Sequence, residues 1–293
     1  MNTDELVKQS LNAKVDHPKI KGYRGSFDGR ARICVSTGGV TYTHQIGDNC
    51  MKIAGDHVEP GVSMAASDSG ENGAVQFLSC VGNEVECLSG PAAGAKGIVT
   101  GTHGGVDHTM AWFEEEDLRK MKGNESFFIR GYGQGLKVKE TPDVFYMNID
   151  PDLIEAMDLS AVENGVLEFP VAAMIPSWLM GSGLGSSTIM MGDYDIMTQD
   201  KNANEEYGIN DLKFGDFVAI LDHDCEYGPH YKEGAVTIGI IVHSDSFSSG
   251  HGPGVTVVAT SKDGKISPVL SENSNLKPYA KILRKKREAE SAQ

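Results

Sequence analysis

The chain has 293 residues and a formal net charge of −15, with 40% hydrophobic and 23% charged residues. This is the make-up of a globular protein of one large domain or two smaller ones, and its acidity opposes binding to nucleic acid or to an anionic membrane face. The 35 glycines follow no collagen-like period, so they act as punctuation between short elements.

In chain order, residues 1–20 read as a polar lead-in, and the opening M-N-T-D-E-L-V-K is not a secretory signal. Runs rich in β-branched or aromatic residues follow at 31–36, 75–81, 97–100, 126–130 and 143–147. The series resumes at 217–221, 235–242 and 255–259. Short strands between glycine turns predict a mainly β fold, with α+β as the variant: a β-sandwich or barrel-like architecture, built as two intimately packed β subdomains. Helices are expected at 114–122, where acids precede bases, and after Asp150-Pro151, where an aspartate cap precedes a first-turn proline. The polar segment 195–211 reads as a surface loop and a subdomain boundary within one globular unit spanning 21–280. Residues 281–293, which include Arg284-Lys285-Lys286-Arg287, read as a solvated tail.

The five cysteines are odd in number and form no C-x-x-C, which argues against a disulfide framework or a zinc ribbon. The longest apolar stretch, 171–180, is too short to span a membrane and contains Pro176. A reducing cytoplasm fits best. The expected partner is a small molecule, with neither nucleic acid nor membrane, and a homo-oligomer is compatible with the composition.

Four of the nine histidines fall in the glycine-studded segments G-D-H-V-E-P-G, G-T-H-G-G-V-D-H and S-G-H-G-P-G, and a fifth in V-H-S-D-S, beside small and acidic residues. Imidazoles and carboxylates bind divalent metals and move protons near neutral pH, and glycine lets a ligand approach the backbone. His57, His103 and His108 are the candidate metal ligands. Asp56 or Glu59 would serve as base or ligand, and His243 and His251 would complete the shell or face a developing oxyanion. The bland alternative for each is a turn or strand-end histidine bonded to its own backbone. The cluster Asp222-His223-Asp224-Cys225 reads as an acidic hairpin tip, with alternation along a strand set against a Cys225–His223 pair. The loop G-S-G-L-G-S-S could hold an anion or cofactor through Gly181, Ser182, Gly183 and Gly185, although it matches no P-loop.

A weak internal echo links 97–103 with 234–243 and 60–63 with 253–256. The order of the echoing pieces differs between the halves, so a tandem duplication does not follow.

As a set, G-D-H-V-E-P-G-V-S, V-T-G-T-H-G-G-V-D-H, G-Y-G-Q-G-L, N-I-D-P, M-G-S-G-L-G, D-Y-D-I and V-H-S-D-S-F-S-S-G-H-G-P-G-V-T resemble the motif string of a prokaryotic family known only as a domain of unknown function. The resemblance spans roughly residues 45–260 and implies membership without an activity. A fainter likeness is to acetamidase/formamidase-type amidohydrolases, whose longer G-D-G-H-A-x-Q-G-x-G-E pattern this chain lacks. The leading expectation is a divalent-metal-dependent hydrolase of a small polar substrate such as an amide. Its rivals are a non-catalytic binding or assembly protein and a nucleotide or anion binder at 181–187.

Overall fold

The computed structural model describes residues 1–20, 22–33, 37–159, 161–182 and 184–291. Strand accounts for 36% and helix for 18%, so the mainly β expectation holds. The N-terminal part contains β1 (Gln9–Val15), a hairpin of β2 (Tyr23–Gly25) and β3 (Ala31–Ile33), β4 (Val40–Thr41), β5 (Gly61–Ala65), α1 (Ser69–Leu78), β6 (Glu84–Cys87), β7 (Lys96–His103), β8 (His108–Phe113), α2 (Glu115–Leu118) and β9 (Ser126–Gly131). The order β1-β9-β6-β7-β8-β5 closes on itself through a β1–β5 pairing, giving a six-stranded antiparallel barrel with β4 beside β5. Closure leaves those six strands no open edge.

Residues 9–15 are therefore not a lead-in. Leu11, Ala13 and Val15 alternate inward along β1 and are buried in the barrel. The run 75–81, expected as a strand, lies largely in α1. The Asp68 side chain accepts from the Gly70 and Glu71 amides, and this N-cap outweighs the weak β preference of Val75 and Phe77.

The second part contains β10 (Phe145–Tyr146), α3 (Pro151–Ala156), β11 (Ala161–Val162), β12 (Val166–Val171), β13 (Ala173–Pro176), β14 (Tyr194–Asp195), α4 (Lys201–Glu206), β15 (Phe217–Asp224), β16 (His230–His243), β17 (Gly254–Ser261), β18 (Ile266–Leu270) and α5 (Leu276–Ser291). Its main sheet runs β10-β17-β16-β15-β13, with β14 also paired to β17. A smaller sheet joins β11, β12 and β18.

The two parts share a wall. Val99, Ala111 and Phe113 point into the barrel core, whereas Ile98, Met110 and Trp112 of the same strands join the other core. That is why β8 reads as an unbroken apolar run rather than an alternating one. The segment 195–211 is no surface loop, for Ile196, Ala203 and Ile209 are buried. Nor is the C-terminus a solvated tail. Within α5, Leu283 is buried, and Arg287 donates to Asp150 Oδ2 at 2.7 Å and to the Gly82 carbonyl at 2.7 Å. Asp150 caps α3 as expected, accepting from the Asp152 amide.

Cys50, Cys80, Cys87 and Cys225 are buried free thiols, while Cys34 lies outside the described residues, as do Val35 and Ser36 of the predicted strand. Among the described residues no helix is long and apolar enough to cross a membrane.

Candidate metal centre

Four histidines meet where the barrel abuts the second sheet. His103 ends β7 and His243 ends β16, so the two echoing strands each deliver an imidazole at the same place. Their ring centroids are 4.2 Å apart. His57 lies 4.8 Å from His243 and 5.0 Å from His251, centroid to centroid. The loop carrying His57 is stitched to the one after β16: His57 N donates to the Asp245 carbonyl and Ser244 N to the Val58 carbonyl. His57 itself has φ 52°, a left-handed conformation of the kind that clusters at functional sites.

Each ring is oriented by a neighbour that can only accept, which fixes where its proton sits. His57 Nδ1 donates to Asp56 Oδ2 at 3.0 Å, and His103 Nδ1 donates to Glu59 Oε1 at 2.5 Å. His243 Nδ1 donates to the Ser244 carbonyl at 2.9 Å. All three Nε2 atoms are left facing the centre. Asp56 and Glu59, both fully buried, are thus neither bases nor ligands. Asp56 is held by Ser246 Oγ and the Phe247 amide, and Glu59 by Ser63 Oγ and the Gly38 amide. Burial opposes ionisation of Glu59, but the hydrogen bonds from His103 and His108 outweigh it and hold its pKa well below the usual carboxylate range.

His108, expected as a ligand, is not one. Its Nδ1 lies 2.9 Å from Glu59 and its Nε2 2.9 Å from Asp16 Oδ2, so both ring nitrogens are occupied by carboxylates. It buttresses Glu59 from behind. His243 and His251, expected as catalytic groups, stand instead among the candidate ligands.

Asp193 and Asp195 join the cluster without any histidine-like cue in the chain. They alternate around Tyr194 in D-Y-D, a spacing that puts two carboxylates on one face of a strand. Asp193 Oδ2 lies 2.8 Å from His243 Nε2, and Asp195 Oδ1 lies 3.4 Å from the same atom. Asp195 Oδ2 lies 2.8 Å from His251 Nδ1 and 3.5 Å from His57 Nε2. Burial disfavours charge on His243, yet Asp193 and Asp195 raise its pKa well above the usual imidazole value. Burial likewise opposes the Asp195 carboxylate, and His243, His251 and His57 together hold it well below the usual range. For His103 burial wins, reinforced by His243, so that ring stays neutral and ready to ligate.

Gly254 opens the centre. It is the cross-strand partner of both Asp195 and His243, and a Cβ there would fall 2.1 Å from Asp193 Oδ2 and 2.1 Å from His243 Nε2. Any side chain would fill the space on which these donors converge. Three overlapping ligand triads result: His57-His103-His243, His57-Asp195-His251 and Asp193-Asp195-His243.

A cleft of about 320 Å³ leads to the cluster, with His57, His103 and His251 on its floor. Lys19, Arg24 and Thr37 line its wall.

Two of the four residues expected to hold an anion in the glycine loop at 181–187 have their amides engaged elsewhere. The Gly181 amide donates to the Asp195 carbonyl and the Ser182 amide to the Gly250 carbonyl, so neither is free for a phosphate. Gly185 packs against Gly104 and Gly105, receiving the Gly105 amide on its carbonyl; Gly183 lies outside the described residues. Its contribution is indirect: it holds Asp195 in place. The pair Cys225 and His223 does meet, with Sγ 3.6 Å from Nδ1, because residues two apart on a strand share a face. Burial pushes the thiol up to about 11 and the imidazole down to about 4, so neither ionises near neutrality and the pair is no nucleophilic dyad.

No curated protein matches the chain. A solved structure described as "Crystal structure of TM1086" is 45% identical, covering 95% of this chain and 98% of that one with a TM-score of 0.89. Family models described as Domain of unknown function (DUF4438), N-terminal and C-terminal, match residues 23–155 and 156–280. The motif string, the barrel-and-sheet fold and these matches agree: the chain belongs to the DUF4438 family.

Proposed function

We propose that this protein is a divalent-metal-dependent hydrolase acting on a small polar substrate, with an amide as the leading class. The observation that carries the metal is the meeting of His243 Nε2 and Asp193 Oδ2. Both atoms are buried and neither makes a hydrogen bond among the described residues, although they lie 2.8 Å apart. At that distance either a proton on Nε2 or a cation shared with the neighbouring donors must separate the two atoms, and the lack of a hydrogen bond between them favours the cation. The ion-pair partners of Glu59, Asp193 and Asp195 among the described residues are all histidines. Among the described residues no lysine or arginine pairs with these three carboxylates, which is the setting in which a dication binds best.

The donor set, imidazole with carboxylate, suits Zn²⁺, Mn²⁺ or Fe²⁺ better than Ca²⁺ or Mg²⁺. A bound cation would acidify a water so that it loses a proton near neutral pH. The resulting hydroxide would attack the substrate carbonyl carbon as the C–N bond breaks, and the amine would leave with a proton, giving a carboxylic acid. His251 has the most exposed ring of the four, on the cleft side of the cluster. The cleft is at the small end of ligand pockets, and Arg24 on its wall favours a substrate with a negative group, whereas Lys19 is paired with Asp16 at 2.8 Å. The test is to assay metal-free and Zn²⁺- or Mn²⁺-loaded protein against a panel of small carboxylate-bearing amides. Metal-dependent release of amine supports the reading, and equal inactivity of both forms across the panel overturns the hydrolase assignment.

A further inference from the structure

Resting on the metal-binding reading above, we infer that the centre holds two cations and that Asp195 bridges them, one through each carboxylate oxygen. Asp195 is the only member of the cluster that turns a different atom to each side. Its Oδ1 joins His243 Nε2, at 3.4 Å, and Asp193 Oδ2 lies 2.8 Å from that same nitrogen. Its Oδ2 joins His251 Nδ1 at 2.8 Å and His57 Nε2 at 3.5 Å, and His57 Nε2 lies 3.1 Å from His251 Nδ1. Ligands held about 2.1 Å from a metal are separated by about 3.0 Å in an octahedron and about 3.4 Å in a tetrahedron. Both groups have edges in that range.

A cation suits this arrangement. His57 Nδ1 already donates to Asp56, which leaves Nε2 as the ring atom turned toward Asp195 and His251. A proton on His251 Nδ1 can point at Asp195 or at His57, but not linearly at both, whereas a cation takes all three lone pairs. On the other side His243 Nε2 and Asp193 Oδ2 lie 2.8 Å apart without forming a hydrogen bond. His103, with only Nε2 left, stands with His57 and His243 in the third triad between the two groups. A carboxylate bridge sets two cations about 3.5–4 Å apart, the separation used in hydrolytic two-metal sites to hold one hydroxide between both ions.

The experiment is equilibrium binding of Mn²⁺ to full-length protein that carries no histidine tag and has been stripped of metal, read by stoichiometry and by electron paramagnetic resonance. Zn²⁺ is titrated in parallel by calorimetry. The expected result is two ions per chain, with a spin-coupled Mn²⁺ spectrum. Asp193→Asn should remove one ion and His251→Ala the other, each leaving a single uncoupled Mn²⁺. Asp193→Asn keeps the oxygen that accepts the Gly104 amide, and His251→Ala keeps the backbone bonds of that residue to Ser248 and Gln199. One Mn²⁺ per chain, lost equally in either variant, overturns the two-cation inference and leaves the metal-binding reading standing. Failure of the wild type to bind either metal overturns both.

Discussion

The Nε2 of His243 lies 2.8 Å from Oδ2 of Asp193, and both atoms are buried without a hydrogen bond among the described residues. Strand β17 makes this possible by placing Gly254 between them. A methyl group there would sit within van der Waals overlap of both atoms, in a strand position with no unusual backbone requirement. Gly254→Ala should therefore cost about 1–3 kcal/mol of stability through overpacking. It should also weaken Mn²⁺ binding by at least about 10-fold. Calorimetric titration beside a thermal melt checks it; a folded variant with unchanged affinity would remove the case that these two atoms share a cation.

Glu59 touches no candidate ligand atom that faces the centre, yet it receives His103 Nδ1 and is braced by His108. Glu59→Gln substitutes an amide for the acceptor that fixes the His103 tautomer. The metal affinity should fall about 10–100-fold with the fold preserved, the range seen when partners behind a ligand are lost. Titration of the variant against wild type decides this.

Arg287 is the partner of an almost fully buried carboxylate. Burial raises the Asp150 pKa despite the guanidinium beside it, so removing Arg287 leaves an uncompensated charge. Arg287→Ala should cost about 3 kcal/mol, with a marked fall in Tm. Deleting residues 281–293 should cost at least as much, since it also removes buried Leu283. A truncated chain as stable as the whole would return the segment to the status of a solvated tail.

Burial lowers the His223 pKa to about 4 from an ordinary 6.5. The folded protein therefore takes up this proton only at lower pH than the unfolded chain does. The stabilisation is complete above about pH 6.5 and is lost as the pH falls from there toward 4, where it levels off. At pH 5 the loss amounts to about 2 kcal/mol. Urea unfolding at pH 7.5 and pH 5 should show a smaller difference for His223→Gln than for wild type. An equal pH dependence would mean that the ring is protonated in the fold.

Cys50, Cys80, Cys87 and Cys225 should resist alkylation in the native protein and react together once it is unfolded. Burial raises the pKa of each thiol and shields its sulfur. Mass spectrometry after iodoacetamide treatment, with and without denaturant, provides the comparison.

Much of this protein was legible in its sequence because the signals were local. Short β-branched runs between glycines are enough to predict a mainly β fold, and Asp150-Pro151 marks a helix start through chemistry confined to one turn. The glycine-flanked segments likewise single out His57, His103, His108 and His251, since a polar cluster assembled from loops needs such backbone, and His243 stands out at the end of an apolar run. Pairing and partners are different, because they depend on residues far apart in the chain. Nothing within residues 9–15 shows that β1 closes a barrel; that follows from β5 and β9 on either side. Nothing within the C-terminal basic run shows that Arg287 will meet Asp150, 137 positions away. His108 reads like His103 along the chain, and only the placement of Asp16 and Glu59 at its two nitrogens makes it a buttress. Asp193 and Asp195 carry no histidine-like cue, and they become central because β14 pairs with β17 opposite the end of β16. The residue types at the centre were set by sequence, while the roles of ligand, orienter and spacer were decided by which nitrogen or oxygen the tertiary structure left facing inward.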